Sequence, residues 1–278
     1  MTADSAPLFS IIVPTFNRSS FLGEAIASAL TQTVEDFELL LVNDGGEIPD
    51  RLPTDPRLRL IQRQVTGGPG AARNSGLAEA SGHYVTFLDD DDLLLPRRLE
   101  IAEVGLQEAR IAVCQKADVR RRRRSQAESQ LDYHTVHDSG PPHLGCTAIE
   151  RSIAPLFNET YLACQDVEWW FRASEFGPIA SSPEVGYFQR PSSVAAGRLN
   201  DQSRRLQFNR LLLVDFADYY RTHPRARAFR LKRVALRELA AGNTGAARQS
   251  LRQSFAASPS IRTAWHLARA TFGSAPRR

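Results

Sequence analysis

Tyr84-Val85-Thr86-Phe87-Leu88-Asp89-Asp90-Asp91-Asp92 is an aromatic and β-branched run that stops in four carboxylates. The run predicts a buried strand. Four adjacent carboxylates repel one another, so they belong where a strand end opens to water or beside a cation. Mg²⁺ and Mn²⁺ take oxygen ligands, and one or two carboxylates often hold them while phosphate oxygens complete the shell. One reading is therefore a metal–diphosphate site at the carboxyl end of a strand in an open α/β sheet, where such sheets bind ligands. The other is an acidic helix N-terminus, favoured by the helix dipole, with Pro96 in the first turn. The stretch by itself leaves both open.

The residues upstream supply the sheet. Ser10-Ile11-Ile12-Val13-Pro14 is a short apolar β run, followed by the loop Thr15-Phe16-Asn17-Arg18. Apolar residues at 22, 25, 26, 29 and 30 then form one helical face. Phe37 to Val42 is a second buried strand and ends in the turn Asn43-Asp44-Gly45-Gly46. Arg57 to Ile61 is a shorter strand, and Gly67-Gly68-Pro69-Gly70 opens a helix over Ala71 to Ala80. This β-α-β-β-α-β alternation predicts a mixed, mostly parallel sheet flanked by helices. The glycine cluster is not a dinucleotide fingerprint: Arg73 stands where the third glycine is required, and the cluster does not follow the first strand.

Downstream, Pro96 to Arg110 predicts a helix and Ile111 to Cys114 a strand. Arg120 to Arg124 are five consecutive arginines in a loop, either simply solvated or contacting phosphate or lipid. The polar stretch 125–145 contains His134-x-x-His137 and His143-x-x-Cys146, but lacks the paired cysteines that usually mark structural zinc. Cys146 to Ile149 and Val185 to Gln189 are strand candidates, the first antiparallel, and Cys164 to Ala173 begins a helix with Asp166 and Glu168 near its start. From Asp201 onward the pattern is helical, with a hairpin around Gly242-Asn243 that resembles one tetratricopeptide-like unit.

The chain of 278 residues carries a net charge of +4, but the charge is uneven. Residues 201–278 hold 16 basic against 4 acidic residues, while residues 1–200 hold 19 against 27. Such a split suggests two functional parts, the second able to meet anionic lipid, nucleic acid or an acidic partner. The expected division is 8–198 for the α/β domain and 199–278 for a basic C-terminal α-helical appendage. No apolar run long enough to span a bilayer occurs, the N-terminus has no secretory pattern, and the three widely spaced cysteines form no disulfide framework. A cytoplasmic location is the expectation, with peripheral contact at the inner membrane face.

Four motifs in order resemble family 2 glycosyltransferases of the GT-A fold, over residues 8–190. They are Ile11 to Arg18; Leu41-Val42-Asn43-Asp44-Gly45; Gly70-Ala71-Ala72-Arg73-Asn74-Ser75-Gly76 leading to Phe87 to Asp92; and Phe157-Asn158-Glu159 leading to Gln165-Asp166. The resemblance implies a GT-A-like domain that moves one sugar from a nucleotide-diphosphate sugar, a UDP-sugar being favoured, to a hydroxyl. That hydroxyl would lie on a glycan, a lipid-linked glycan or a small acceptor, with inversion at the anomeric carbon, as in a hexosyltransferase of polysaccharide biosynthesis. It implies that Pro14 and Phe16 flank the base, Asp44 accepts from its imide edge, and Arg73 lies near the base or diphosphate. Asp91, with Asp89, would ligate Mn²⁺ or Mg²⁺. Asp89 or Asp90 would face ribose and sugar, Asp166 would be the general base, and Asp92 is left as a cap or a solvated neighbour.

Two departures stand out. Gln165 replaces a glutamate that many relatives carry before the base, and Tyr187 to Pro191 lacks the histidine that many place after the last strand; Arg190 or Arg198 could face the diphosphate in its stead. The sequence has no Gln-x-x-Arg-Trp motif, which disfavours a processive synthase. The alternatives are a nucleotidyltransferase or nucleotide-dependent phosphotransferase, and a non-catalytic protein that binds nucleic acid or membrane through its basic segments. The absent Walker lysine weighs against the first, and the retained carboxylates against the second. Nucleic acid is not an expected partner.

Overall fold

A computed structural model describes residues 6–17, 20–47, 52–118, 131–190 and 202–272. Arg120 to Arg124 and Arg198 lie outside the described residues. The chain divides into two compact units: Met1–Val136, Pro141–Thr160 and Gln165–Ala196; and His137–Gly140, Tyr161–Cys164 and Gly197–Arg278.

In the first unit the described strands are β1 (Phe9–Thr15), β2 (Phe37–Asn43), β3 (Leu58–Gln62), β4 (Tyr84–Phe87), β5 (Leu93–Leu94), β6 (Ile111–Asp118), β7 (Thr147–Glu150) and β8 (Ile179–Gln189). They form one sheet in the order β3-β2-β1-β4-β7-β6-β8-β5. The first four strands are parallel. β7 runs antiparallel to both its neighbours, β8 is parallel to β6, and β5 is antiparallel to β8. The antiparallel β7 agrees with the sequence reading. β5 is only two residues long, too short for any periodicity to announce it.

β1 is buried along its whole length, and β2 nearly so, because both faces of the parallel part are covered. Helix α1 (Leu22–Leu30) buries Leu22, Ala25, Ile26 and Ala29, the spacing of one helical face. Helix α2 (Gly68–Glu79) starts three residues before its expected start, since Pro69 fits the first turn of a helix without losing a hydrogen bond. α3 (Arg98–Leu106) is shorter than the expected helix at both ends. A further short helix, α4 (Tyr133–Ser139), falls in a polar stretch without apolar periodicity. α5 (Gln165–Ala173) buries Trp169, Trp170 and Phe171 completely.

Strand order positions the site. The chain moves outward from β1 to β2 to β3, then returns to place β4 on the other side of β1. This reversal is a topological switch point, and ligands of open α/β sheets bind beyond the carboxyl ends of the strands there. Thr15 pairs with Asn43 and Ile12 with Phe87, so the ends of β1, β2 and β4 lie along one edge of the sheet. Asp44 and the four aspartates follow directly from that edge.

The second unit contains the described helices α6 (Gln202–Asp215), α7 (Ala217–Thr222), α8 (Pro224–Ala240), α9 (Thr244–Ala257) and α10 (Ile261–Phe272). α6 and α7 are separated at Phe216, which leaves helical geometry. α8 and α9 form the expected hairpin, with Gly242 in the left-handed region at its turn. Ala235, Leu251 and Ala270 make a small core between α8, α9 and α10. Buried Arg230 donates to Asn209 Oδ1 at 2.9 Å and to the Tyr220 hydroxyl at 3.3 Å, and buried Glu238 accepts from Arg210 and from Asn243 at 2.9 Å. α10 starts at Ile261 because the Ser260 side chain accepts from the Thr263 N–H at 3.1 Å.

Candidate active site

Asp44 stands where β2 ends. Its carboxylate accepts from the backbone N–H of Gly67 (3.1 Å) and Gly68 (2.6 Å) and pairs with Arg63 at 2.8 Å. It thus satisfies donors at the start of α2, a helix end whose dipole favours negative charge. Across the switch point, Thr15 Oγ1 donates to Asp90 Oδ2 at 2.8 Å and ties the end of β1 to that of β4. Pro14 is buried in β1, whereas Phe16 leaves the sheet and is exposed.

The four aspartates occupy four different environments. Asp89 is partly exposed and accepts from Arg73 at 2.6 Å. Asp90 is buried on Thr15, and Asp91 is half-buried. Asp92 is buried; it accepts from the Tyr187 hydroxyl at 2.8 Å and the Arg190 N–H at 2.8 Å. Burial, followed by the charge of Asp89, pushes the Asp92 carboxyl up to about 7, and Asp91 adds to the effect. Burial is the larger cause and the neighbouring carboxylates add to it, a repulsion that a cation would relieve.

Arg73 projects from α2 to Asp89, with its guanidinium 5.4 Å from the centre of the Phe157 ring. Phe157 is held by Asn74, which accepts from its N–H at 2.6 Å and donates to its carbonyl at 2.9 Å. Phe157 stacks on Trp169, and both meet Phe87 edge-on. This aromatic cluster joins the end of β4 to α5. It accounts for the third and fourth motifs as one structural device: Asn74 of α2 grips the segment that leads into α5. The buried Gln165 lies against Gly70, where a Cβ would come within 3.1 Å of the amide. Asp166, the next residue, is exposed in the first turn of α5. Its charge reaches His143, as do those of Asp89 and Arg73.

His143 enters from the loop before β7. Its Nδ1 accepts from the Gly145 N–H at 3.2 Å, and its Nε2 lies 3.0 Å from the Gln189 side-chain nitrogen. Burial lowers its pKa, against the pull of Asp89. One ligand atom from each of Asp89, Asp92 and His143 lies within 4.8 Å of the others, a group able to hold a metal ion. Carboxylate oxygens and a neutral imidazole suit a divalent cation of the Mn²⁺ type. Asp89 was expected in such a group; His143 and Asp92 were not, and Asp91 lies outside it. The Arg190 guanidinium instead pairs with Glu24 and lies 4.6 Å from the Phe21 ring centre.

Tyr187 is the hinge of this arrangement. It donates to Asp92 and its oxygen lies 3.4 Å from the Asp89 N–H; its ring lies 5.0 Å from that of His143. Its ring also fills the space over Gly145, where a Cβ would sit 2.1 Å from a ring carbon. Gly145→Ala is accordingly expected to cost about 1–3 kcal/mol by overpacking. Urea denaturation should show the lower midpoint. An unchanged midpoint would mean that Tyr187 is not locked in place.

Asp44, Arg73, Asp89, Asp90, Asp91 and Asp166 thus belong to elements that converge on the switch point. Sequence reasoning did not single out Thr15, Arg63 or Tyr187. His143 was visible only as half of an incomplete zinc spacing.

The sequence model of the family described as "Glycosyl transferase family 2" matches residues 10–156. An uncharacterized glycosyltransferase of Haemophilus influenzae is 40% identical over 100 residues, 34% of this chain and 40% of that relative, so the match spans well under half of the relative's length. Among solved structures, S. aureus TarS 1-349 in complex with UDP-GlcNAc matches with a TM-score of 0.66 at 17% identity, over 95% of this chain and 87% of that one. The mannosyltransferase PcManGT of Pyrobaculum calidifontis, in complex with GDP-Man and Mn2+, matches with a TM-score of 0.57 at 18% identity, over 96% and 80%. The fold is that of the GT-A glycosyltransferases. The chain belongs to glycosyltransferase family 2.

Proposed function

We propose that the chain is a metal-dependent, inverting transferase that moves one sugar from a nucleotide-diphosphate sugar, a UDP-sugar being favoured, to a hydroxyl of a glycan, a lipid-linked glycan or a small acceptor. One observation carries this reading: acidic, basic and aromatic groups from β1, β2, α2, β4 and α5 meet at the switch point of an open sheet. Phe16 and Pro14 flank the base. Asp44, held by the Gly67 and Gly68 N–H groups and paired with Arg63, accepts from the imide edge through a remaining lone pair. Arg73 lies beside the diphosphate and keeps Asp89 oriented. Asp89 and Asp90 face the ribose and sugar.

Asp91 and Asp89 would hold the Mn²⁺ or Mg²⁺, with His143 alongside. Asp92 is enclosed and already engaged by Tyr187 and Arg190, so it orients its neighbours. When bound, the ion stabilises the charge that develops on the departing nucleoside diphosphate. Asp166, exposed at the start of α5, takes the proton from the acceptor hydroxyl as that oxygen attacks the anomeric carbon. A single displacement inverts that centre, giving a β-linkage from an α-linked donor. The protein works in the cytoplasm, with peripheral contact at the inner membrane face through its basic helices.

A thermal-shift screen of nucleotides and nucleotide sugars, with and without Mn²⁺, tests this. A bound donor stabilises the fold by mass action, about 2.7 kcal/mol at a hundredfold excess over Kd. The true donor should raise Tm only when Mn²⁺ or Mg²⁺ is present. No shift with any nucleotide would count against the reading.

A further inference from the structure

The last helix has two apolar faces. One is used internally: Thr263 and Ala270 are buried, with Leu267 packed against the small core. The other faces outward. At about 100° per residue, Ile261, Trp265, Ala268 and Phe272 fall within an arc of about 60°. Ile261 is 92% exposed, Trp265 52% and Phe272 86%. A groove between α9 and α10, lined by Arg252, Phe255, Ala268 and Phe272 among others, extends this surface to Phe255, which is also exposed.

We propose that this outer face of α10 docks on an anionic lipid bilayer, with Ile261, Trp265 and Phe272 entering the interface and arginines at their side meeting lipid phosphates. Charge selects the partner. α8, α9 and α10 together carry ten Lys and Arg residues, of which Arg230 is buried, and a single acid, Glu238, which is also buried. Arg262 and Arg269 follow the apolar arc on one side, and the Arg269 guanidinium lies 4.6 Å from the centre of the Trp265 ring. Cations also crowd one another here. After burial, Arg262 and Arg233 push Lys232 down, and Arg262, Lys232 and Arg269 push His266 down. Lipid phosphates would relieve that repulsion. An amphipathic helix with an apolar face, a tryptophan and basic residues at its side lies in the plane of the interface. No described helix is long and apolar enough to cross the membrane. This deepens the membrane contact proposed above, but it is tested without substrate, so its failure would leave the transfer reaction untouched.

The full chain contains its own reporter. Of its three tryptophans, Trp169 and Trp170 are fully buried and Trp265 is exposed. Vesicles of phosphatidylglycerol and phosphatidylcholine should shift the Trp265 emission to the blue and sediment the protein. Phosphatidylcholine alone should bind at least about tenfold more weakly, and raising the salt should weaken binding. Trp265→Phe should remove the spectral shift. The double variant Ile261→Glu/Phe272→Glu, checked for an unchanged melting profile, should stay in the supernatant. Sedimentation unaffected by the double variant would overturn the proposal. So would failure to bind lipid in a protein whose light-scattering mass falls from dimer to monomer in that variant, because the face would then join two copies of the chain.

Discussion

Asp166→Asn is expected to lower kcat by about 10³-fold while leaving the affinity for the nucleotide sugar within about twofold. The substitution keeps the size of the side chain and removes its negative charge, and with it the capacity to take a proton. The surroundings predict little else. Asp166 is exposed in the first turn of α5, and the helix is fixed by groups that do not involve it: Trp169 donates to the Pro155 carbonyl at 2.7 Å, Arg172 pairs with Glu168 at 2.7 Å, and Gln165 packs at Gly70. The variant should therefore fold normally, and its Tm should still rise on adding donor and metal. If Asp166 only supports the first turn of α5 through the helix dipole, turnover would persist in the asparagine variant. Steady-state kinetics on the true donor separates the two outcomes.

Asp91→Ala should show the complementary pattern. Losing the proposed ligand should lower kcat/KM by at least about 10²-fold, and the nucleoside diphosphate should no longer bind more tightly when Mn²⁺ is added. Fold stability should change little, because other anchors hold this loop. Those are Asp90 on Thr15 and Asp92 on Tyr187 and the Arg190 N–H. Removing one negative charge from beside Asp92 should, if anything, ease the repulsion that raises its pKa. Calorimetric titration with and without metal measures the first effect. Metal-enhanced binding that survives in Asp91→Ala would move the ion to the group formed by Asp89, Asp92 and His143.

The parallel half of the sheet was legible because its strands are continuous apolar runs that end at marked turns: Pro14-Thr15, Asn43-Asp44 and Leu88-Asp89. The cluster of four aspartates was legible for the same reason. Their separate fates were not. Asp92 is buried by Tyr187, 95 residues further along, and by a backbone N–H that has no side-chain signature. His143 arrives through a polar loop and a three-residue turn, Leu144–Cys146, with no periodicity to reveal its direction. The role of Asn74 also depends on a distant partner, the backbone of Phe157, 83 residues away. α4 was missed because its residues are polar, and β5 because it is too short. α10 was found as a helix, but its outward face could be told from its inward face only once α9 was in place.

Phosphorus NMR of the protein incubated with its donor and acceptor tests the central claim most directly. A sugar transfer releases the nucleoside diphosphate intact, in step with glycosylated acceptor, and chelation of the metal should stop it. Release of pyrophosphate, or turnover indifferent to both chelation and Asp166→Asn, would contradict the account.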